Sequence, residues 1–255
     1  MRPALIFMHI PKCGGSTLSS MLKKAIPERR RFRVGEDIRG SRMRLAALPD
    51  SERLPIDLLY GHLSYGWHDL LLPRQAWYFT MVREPLARVV SHYNFVRSHE
   101  WHYLHSHVVD SRMTVADYVE SGITTEVNNG QVRQISGVED IVQSPYGESL
   151  AGYGTDHSSL LTQALENIER HFLMAGILER FEESAELLKR LTGLPIGTYR
   201  RKNESRSPGA LTALQRNEID VIRRYNREDC ELYRRLMESF EARNREMSRT
   251  SARRA

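Results

Sequence analysis

An apolar segment close to the N-terminus leads directly into a glycine-rich turn and then into a helix-like segment. Ala4–Met8 has the composition of a buried strand, Lys12 and the pair Gly14-Gly15 follow it, and Thr17–Lys24 has helical character. Because glycine has no Cβ atom, the backbone can bend tightly there and bring its N–H groups against an anion. The start of a helix adds unpaired N–H donors and the positive end of its dipole. The segment therefore predicts a phosphate-binding turn, with Lys12 as its charged group.

The order of residues in this turn differs from that of the Walker A loop, G-x-x-x-x-G-K-[S/T]. In that motif the lysine follows the last glycine, and the next hydroxyl group holds magnesium. Here Lys12 precedes Gly14 and Gly15, and the first half of the chain contains no Gly-Lys-Ser/Thr. A nucleotide kinase or another P-loop NTPase is therefore the weaker enzymatic interpretation. A plain turn between a strand and a helix is the alternative without a ligand.

A second unit of the same kind lies downstream. Trp77–Val82 is apolar and aromatic and predicts a buried strand, which ends at Arg83. The residues after Arg83 have helical spacing, with Pro85 suited to a first helical turn and Ser91 two turns into the helix. Arginine offers a forked, permanent charge to a phosphate, and serine adds a neutral donor. The second junction therefore predicts a second anion-binding group, with a surface arginine as the alternative.

Together the two units resemble the signature segments of a known enzyme family. One segment of that family is close to H-I-P-K-T-G-G-T-[S/T], and His9–Thr17 matches it, with Cys13 where threonine is usual. The other is close to R-D-P-x-x-R-x-x-S-x-Y, and Arg83–Tyr93 matches it, with Glu84 in place of aspartate. The chain thus resembles the sulfotransferases that use 3′-phosphoadenosine 5′-phosphosulfate (PAPS), especially the uronosyl and heparan sulfate 2-O-sulfotransferase branch and its bacterial relatives. Further matching segments are Gly61–Tyr65, Asn129–Gly137 and Phe172–Phe181.

The resemblance implies an α/β fold, in which a P-loop-like parallel sheet is flanked by helices on both faces. It implies PAPS as sulfuryl donor, 3′-phosphoadenosine 5′-phosphate (PAP) as product and a hydroxyl of a carbohydrate-like acceptor, with no metal. Lys12 would be catalytic by stabilising charge on the leaving oxygen, while Arg83 and Ser91 would hold the 3′-phosphate. The residues expected to bind the nucleotide are Lys12, Cys13, Gly14, Gly15, Ser16, Thr17, Arg83, Ser91, Arg201 and Arg206.

The general base is expected to be His62, which follows an apolar strand-like segment and has the ordinary imidazole pKa near 6.5. The resembling branch has a proposed catalytic base at this position. Glu36 or Asp37 is the rival, because other sulfotransferase branches use a glutamate soon after the first helix. Gln131 and Arg133 are expected to contact the acceptor, with a solvated helix face as the alternative.

Composition bounds the remaining possibilities. The chain has 255 residues, 40% of them hydrophobic, which is enough for one substantial α/β core. No apolar stretch approaches the roughly 18 residues that a transmembrane helix needs. The N-terminal strand leaves no room for a cleavable signal, so we expect a cytoplasmic, bacterial enzyme. The net charge of +5 is mild, and neither charge nor aromatic residues predict a nucleic-acid surface.

The two cysteines do not predict a disulfide framework. A crowd of histidines lies between positions 92 and 107, but its spacing and the neighbouring arginines make a zinc site a weak alternative. A non-catalytic nucleotide-binding protein that kept the phosphate-binding turn is a further alternative to an enzyme. The sequence does not indicate the oligomeric state.

The chain is expected to form a single sulfotransferase domain over 1–243, followed by a frayed basic tail over 244–255. Residues 136–157 are expected to form a lid over the acceptor, and residues 197–209 a loop over the adenosine. The predicted strands are 4–9, 56–61, 76–82 and 172–177, and the predicted helices lie near 15–25, 85–98, 114–120, 125–135, 158–168, 179–191 and 210–242, the last possibly broken.

Overall fold

A computed structural model describes residues 2–137, 157–197 and 214–252 of the chain. The sheet in these residues has five parallel strands in the order β2-β3-β1-β4-β5. The strands are β1 Ala4–Met8, β2 Arg31–Arg33, β3 Leu58–Gly61, β4 Ala76–Val82 and β5 Phe172–Ile177. The α/β prediction, with a parallel sheet flanked by helices, is therefore confirmed.

Helices occupy most of the chain between and after the strands. The α-helices are α1 Gly15–Ala25, α2 Ile38–Ala47, α3 Asp50–Arg53, α4 Pro85–Ser98, α5 His105–Asp110, α6 Val115–Glu120, α7 Gly130–Ser136, α8 Ser158–His171, α9 Phe181–Thr192, α10 Arg216–Tyr225 and α11 Arg227–Ala252. Short 3₁₀ turns cover Glu28–Arg30, His68–Leu71, Thr125–Val127 and Leu178–Arg180. No helix in the described part of the chain is long and apolar enough to cross a membrane.

The central strands are buried because both faces of a parallel sheet are covered. One hydrophobic core surrounds the sheet and includes Ile6, Leu59 and Phe79, all fully buried. A second core joins α4, α5, α6 and α10 around residues such as Tyr118 and Ile222. Helix α4 begins at a proline, as predicted, and the Glu84 side chain accepts hydrogen bonds from two N–H groups of its first turn. Glutamate therefore serves as the N-cap at the position where the resembling family has aspartate.

The predicted elements differ from the structure at several places, and helices α2, α3 and α5 were not predicted. Strand β2 could not be predicted, because a strand of three residues with two arginines has no apolar pattern. The predicted helix 125–135 is a 3₁₀ turn followed by α7, since Asn129 lies between them with a left-handed φ of 52°. The predicted tail from 244 begins inside α11, whose backbone runs to Ala252, and the domain boundary at 243 stays a prediction.

Helices α7 and α11 cap each other, and this fixes the start of α7 against the sheet. The Asp229 carboxylate on α11 accepts hydrogen bonds from the N–H groups of Gln131 and Val132, at 3.2 and 2.8 Å. In return, the Asn129 side-chain oxygen accepts from the N–H groups of Glu228 and Asp229, both at 3.0 Å. Because each helix supplies acceptors for the free N–H donors of the other, the N-termini of α7 and α11 are held in a fixed position relative to each other.

Candidate active site

The three central strands of the sheet end side by side at one edge. The turn with Lys12 follows β1, His62 follows β3, and Arg83 follows β4. The connection after β1 leads towards β2, whereas the connection after β4 leads towards β5 on the other side of the sheet. Ligands of open α/β sheets bind in the crevice where connections diverge in this way. The candidate residues of both predicted junctions therefore meet at the expected binding edge.

The turn after β1 has the geometry of an anion site. Lys12 and Gly14 both have left-handed φ values, 66° and 77°, and Gly14 is the N-cap of α1 without a side-chain cap. The Thr17 N–H bonds back to the Gly14 carbonyl at 3.1 Å, whereas the N–H groups of Gly15 and Ser16 have no backbone acceptor in the described residues. Ser16 is exposed at the mouth of this turn. The open N–H groups suit a phosphate.

Gly15 is required by a histidine that the sequence analysis did not single out. A Cβ atom at Gly15 would lie 1.9 Å from the His9 ring. That ring stacks on Phe7 at 5.7 Å and on His62 at 4.3 Å between centroids. Burial, and then the neighbouring His62 and Lys12, hold the pKa of His9 well below its ordinary value. The His9 ring is therefore neutral and lies between the phosphate-binding turn and His62.

Lys12 contacts both Arg83 and helix α4, the helix that carries Ser91. An Arg83 Nη1–H group donates to the Lys12 carbonyl at 3.2 Å. The Lys12 ammonium lies 4.0 Å above the centre of the Phe95 ring on α4. Ser91 precedes Phe95 by one helical turn, and side chains so spaced are neighbours, about 5–6 Å apart at Cβ. Desolvation, and then the positive charge of Arg83, lower the pKa of Lys12 to about 8.

Gln131 holds Arg83 in place from the interior. Its Oε1 accepts from the Arg83 N–H at 2.9 Å, and its Nε2 donates to the Arg83 carbonyl at 3.0 Å. The Cys13 thiol, which is fully buried, also donates to Gln131 Oε1 at 3.5 Å. Burial raises the pKa of Cys13 to about 12, so the thiol stays protonated. Both ends of the Gln131 side chain are occupied, so its predicted contact with an acceptor has no support in this geometry.

Arg133 is also directed into the protein. Its Nε donates to the Asn128 carbonyl at 2.9 Å, and its Nη2 lies 2.6 Å from His157 Nε2. The buried Arg133 thus links α7 to the residue before α8. Arg201 and Arg206, predicted to bind the nucleotide, lie outside the described residues with most of their loop, as does most of the predicted lid.

His62 has the geometry of a base. Its Nδ1 lies 2.8 Å from the His9 carbonyl, and a carbonyl can only accept, so Nδ1 carries the proton and Nε2 presents a lone pair. Desolvation is the main cause of the lowered pKa of His62, and the positive charge of Arg33 lowers this pKa further. The hydrogen bond to His9 and the negative charge of Glu36 act in the opposite direction. The side chain is open to solvent, which limits the desolvation. The imidazole is therefore neutral near pH 7.

The acidic rivals differ from His62 in position. The Asp37 carboxylate accepts from the Gly40 N–H at 2.8 Å and caps α2. Glu36 is exposed and acts on His62 through its charge. Glu36 therefore remains the alternative base, since it neighbours the same crevice. Among the described residues, no group of three or more His, Cys, Asp or Glu side chains is arranged to hold a metal ion.

Phe95 and Glu126 also belong to the site, although no motif pointed to them. The Lys12 ammonium lies over the Phe95 ring. The buried Glu126 carboxylate attracts the positive charge of Lys12 and also lies 3.5 Å from the Arg88 guanidinium. The sequence signal for Phe95 was its place one turn after Ser91 on the same helix face. Glu126 gave no signal, because a lone acidic residue gives no sign of burial.

Comparison with known proteins bears on the family of this chain. No curated protein matches it significantly. The family model described as "Sulfotransferase family" matches residues 2–241, which include all three strand ends and every candidate residue named above. By a match over nearly its whole length, the chain belongs to the sulfotransferase family.

Proposed function

We propose that this sulfotransferase takes its sulfuryl group from PAPS and transfers it to a hydroxyl of a carbohydrate-like acceptor. The observation that carries the proposal is the contact between Lys12 and Arg83, which come from the ends of two neighbouring strands. One doubly phosphorylated nucleotide can reach both residues. The motifs shared with the uronosyl and heparan sulfate 2-O branch support the carbohydrate acceptor.

The residues present fit such a nucleotide. The open N–H groups of Gly15 and Ser16, at the start of α1, would hold the 5′-phosphate. Arg83 keeps guanidinium N–H groups beyond the one that bonds to Lys12, and these with the Ser91 hydroxyl would hold the 3′-phosphate. Binding of the 3′-phosphate by Arg83 and Ser91 would distinguish PAPS from nucleotides without a 3′-phosphate. Arg201 and Arg206 remain candidates for the adenosine side.

The chemistry assigned to the chain is alignment, charge neutralisation and removal of one proton. The bond between sulfur and the phosphate oxygen breaks, and the acceptor oxygen forms the new bond to sulfur. His62 Nε2 takes the proton of the attacking hydroxyl, since its lone pair is held outward by the bond from Nδ1 to His9. Lys12 stabilises the negative charge that grows on the leaving phosphate oxygen. The PAP product leaves with that charge.

The nucleotide part of the proposal is tested by thermal denaturation with two ligands. PAP is expected to raise the melting temperature at concentrations where ATP with magnesium has little effect, because ATP lacks the 3′-phosphate that Arg83 and Ser91 would bind. Arg83→Ala is expected to remove most of the PAP effect. A clear preference for ATP with magnesium would overturn the proposal in favour of an NTPase.

The lowered pKa of Lys12 predicts a pH dependence of PAP binding. In the free protein Lys12 loses its proton above a pKa of about 8, while a bound phosphate favours the charged form. Binding above this pH must therefore take up a proton, and the dissociation constant of PAP is expected to rise up to about tenfold per pH unit. Isothermal titration calorimetry between pH 6.5 and 9.5 measures it.

The matched control is Lys12→Arg. Arginine stays charged throughout this range, so the rise in the dissociation constant should disappear. An equal rise in the variant and the natural protein would show that Lys12 is not its origin.

A further inference from the structure

An aromatic surface continues from Lys12 along the end of α4 into the loop before α5. We call it the aromatic platform, and it consists of Phe95, His99, Trp101, His102 and Tyr103. The Phe95 ring lies 4.1 Å from His99 and 5.6 Å from Trp101, and His102 stacks on Tyr103 at 4.6 Å, between ring centroids. The rings thus support one another at their edges and form a continuous surface.

This surface is open to solvent where a folded protein would normally cover it. The Trp101 side chain is 74% exposed and Tyr103 is 45% exposed. Trp101 is the most exposed large hydrophobic residue of the described part of the chain. Exposed aromatic surface of this kind is characteristic of binding sites.

The platform is continuous with the proposed reaction centre. Lys12, which would neutralise the leaving phosphate oxygen, has its ammonium 4.0 Å from the centre of the Phe95 ring. Trp101 belongs to the same aromatic surface, with its ring centroid 5.6 Å from that of Phe95. A ligand that rests on the platform is therefore directed towards the sulfuryl group, which makes the acceptor the natural occupant.

Two imidazole nitrogens on the platform suit a ligand with several hydroxyl groups. His99 Nδ1 lies 2.8 Å from the Phe95 carbonyl and must donate, so His99 Nε2 is an acceptor. His102 Nδ1 accepts from the Leu104 N–H at 3.2 Å, so the neutral ring carries its proton on Nε2 as a donor. The described residues hydrogen bond to neither Nε2 atom. Hydroxyl groups can satisfy both, since each donates and accepts.

Once PAPS is bound, the charges around the platform favour an uncharged ligand, because the phosphosulfate would neutralise Lys12, the cation in contact with Phe95. Glu100 is exposed in the same segment and would repel a carboxylate or sulfate on the bound ring. Arg97, the nearest cation along α4, lies over the Tyr93 ring at 5.3 Å, on another face of the helix. A phenol would supply one hydroxyl group for the two imidazoles, whereas a sugar ring supplies several and also has an apolar C–H face.

We infer that the aromatic platform binds the acceptor as an uncharged pyranose ring, with its C–H face on Trp101 and its hydroxyl groups towards His99 and His102. This inference rests on the proposed function, because it names the acceptor for the same transfer. It also assigns a specificity role to residues outside the signature motifs.

The test measures transfer of labelled sulfuryl from PAPS to three probes: cellobiose, 4-methylphenol and methyl glucuronide. Cellobiose is expected to be the best acceptor. Trp101→Ala should raise its KM by about tenfold or more through loss of the stacked ring, with the KM for PAPS unchanged. Trp101→Phe should restore most of the affinity. Leu72→Ala is the control, since Leu72 is 58% exposed and precedes β4, at the opposite edge of the sheet.

Quenching of tryptophan fluorescence by acrylamide gives a readout that does not depend on activity. Trp67 is buried and Trp77 is half-buried, so the quenchable signal comes mainly from Trp101. Cellobiose added with PAP should protect this signal, and Trp101→Phe should remove it.

Specific outcomes overturn the inference. It fails if cellobiose neither protects Trp101 nor accepts sulfuryl, whichever other probe is sulfated, or if Trp101→Ala leaves the KM for cellobiose unchanged. The proposed function fails separately, if PAP does not stabilise the protein in the thermal assay. PAP binding together with an unchanged KM in Trp101→Ala would therefore sink this inference alone.

Discussion

Replacing His62 with alanine is expected to lower kcat by about 10²–10⁴-fold, the usual contribution of a general base, while PAP binds as before. The reason is geometric: Nδ1 donates to the His9 carbonyl at 2.8 Å, which leaves Nε2 as the proton acceptor. The proposed nucleotide contacts come from the turn after β1, from Arg83 after β4 and from Ser91 on α4, and His62 belongs to none of these segments. Single-turnover rates and PAP titrations measure the two effects separately.

The pH profile gives a second signature of the same role. A base must be neutral, so the rate should fall as the pH drops through the pKa of His62. Desolvation places that pKa below its ordinary value, so the acid limb should begin below about pH 6.5. His62→Ala should lose this limb together with the rate. His171→Ala is the matched control, because His171 ends α8 just before β5, at the opposite edge of the sheet.

A full rate in His62→Ala would transfer the role to Glu36, the acidic alternative. Glu36→Gln would then carry the rate loss, and the acid limb would move to the pH range of a carboxylic acid. Loss of rate in both variants with a shared pH profile would indicate that Glu36 acts through His62, whose pKa its charge raises.

The parts of the fold that local sequence determines could be predicted. β1 and β4 are apolar runs, each followed by a short turn with proline or charged residues and then by a helix. The phosphate-binding turn could be predicted for the same reason, because its lysine and glycines are adjacent in the chain. The parallel alignment of β1 and β4 then brings Lys12 and Arg83 together, as the family resemblance implied.

The roles that depend on distant residues could not be predicted. Gln131 lies 48 positions from Arg83, and its polar amide suggested a surface contact, whereas the fold uses it to hold the Arg83 backbone. Arg133 likewise has a distant partner, since His157 lies beyond the end of α7. A polar side chain does not reveal whether its partner will be a ligand or a buried backbone group.

The second large effect that we expect is a loss of stability, and it concerns a group of buried charges behind the active site. Arg88 and Asp229 are both 0% exposed, and Arg88 lies 3.8 Å from Asp229 and 3.5 Å from Glu126. Asp229 also accepts from the N–H groups of Gln131 and Val132 at the start of α7. Its removal would leave a buried guanidinium with one carboxylate fewer and two helix donors without an acceptor.

Asp229→Ala is therefore expected to reduce the free energy of unfolding by about 3–5 kcal/mol, as for a buried pair that loses one partner. Urea denaturation followed by circular dichroism measures it. If the alanine variant does not fold, Asp229→Asn keeps the shape and one acceptor oxygen and should lose less. The loss should also weaken PAP binding, because Gln131 at the start of α7 holds Arg83.

Glu231→Ala, two residues further along α11, is the matched control. Glu231 pairs with Arg234 and Arg235 near the surface, at 2.8 and 2.6 Å, and such pairs contribute about 0–1 kcal/mol. The two carboxylates lie on the same helix and each pairs with arginine, but they differ in burial. Equal losses of unfolding free energy in the two variants would show that the burial of Asp229 does not increase its contribution to stability. They would also contradict the proposed connection from α11 through Gln131 to Arg83. A large loss in Asp229→Ala alone, together with weaker PAP binding, would establish that the buried carboxylate keeps the anion-binding arginine in place.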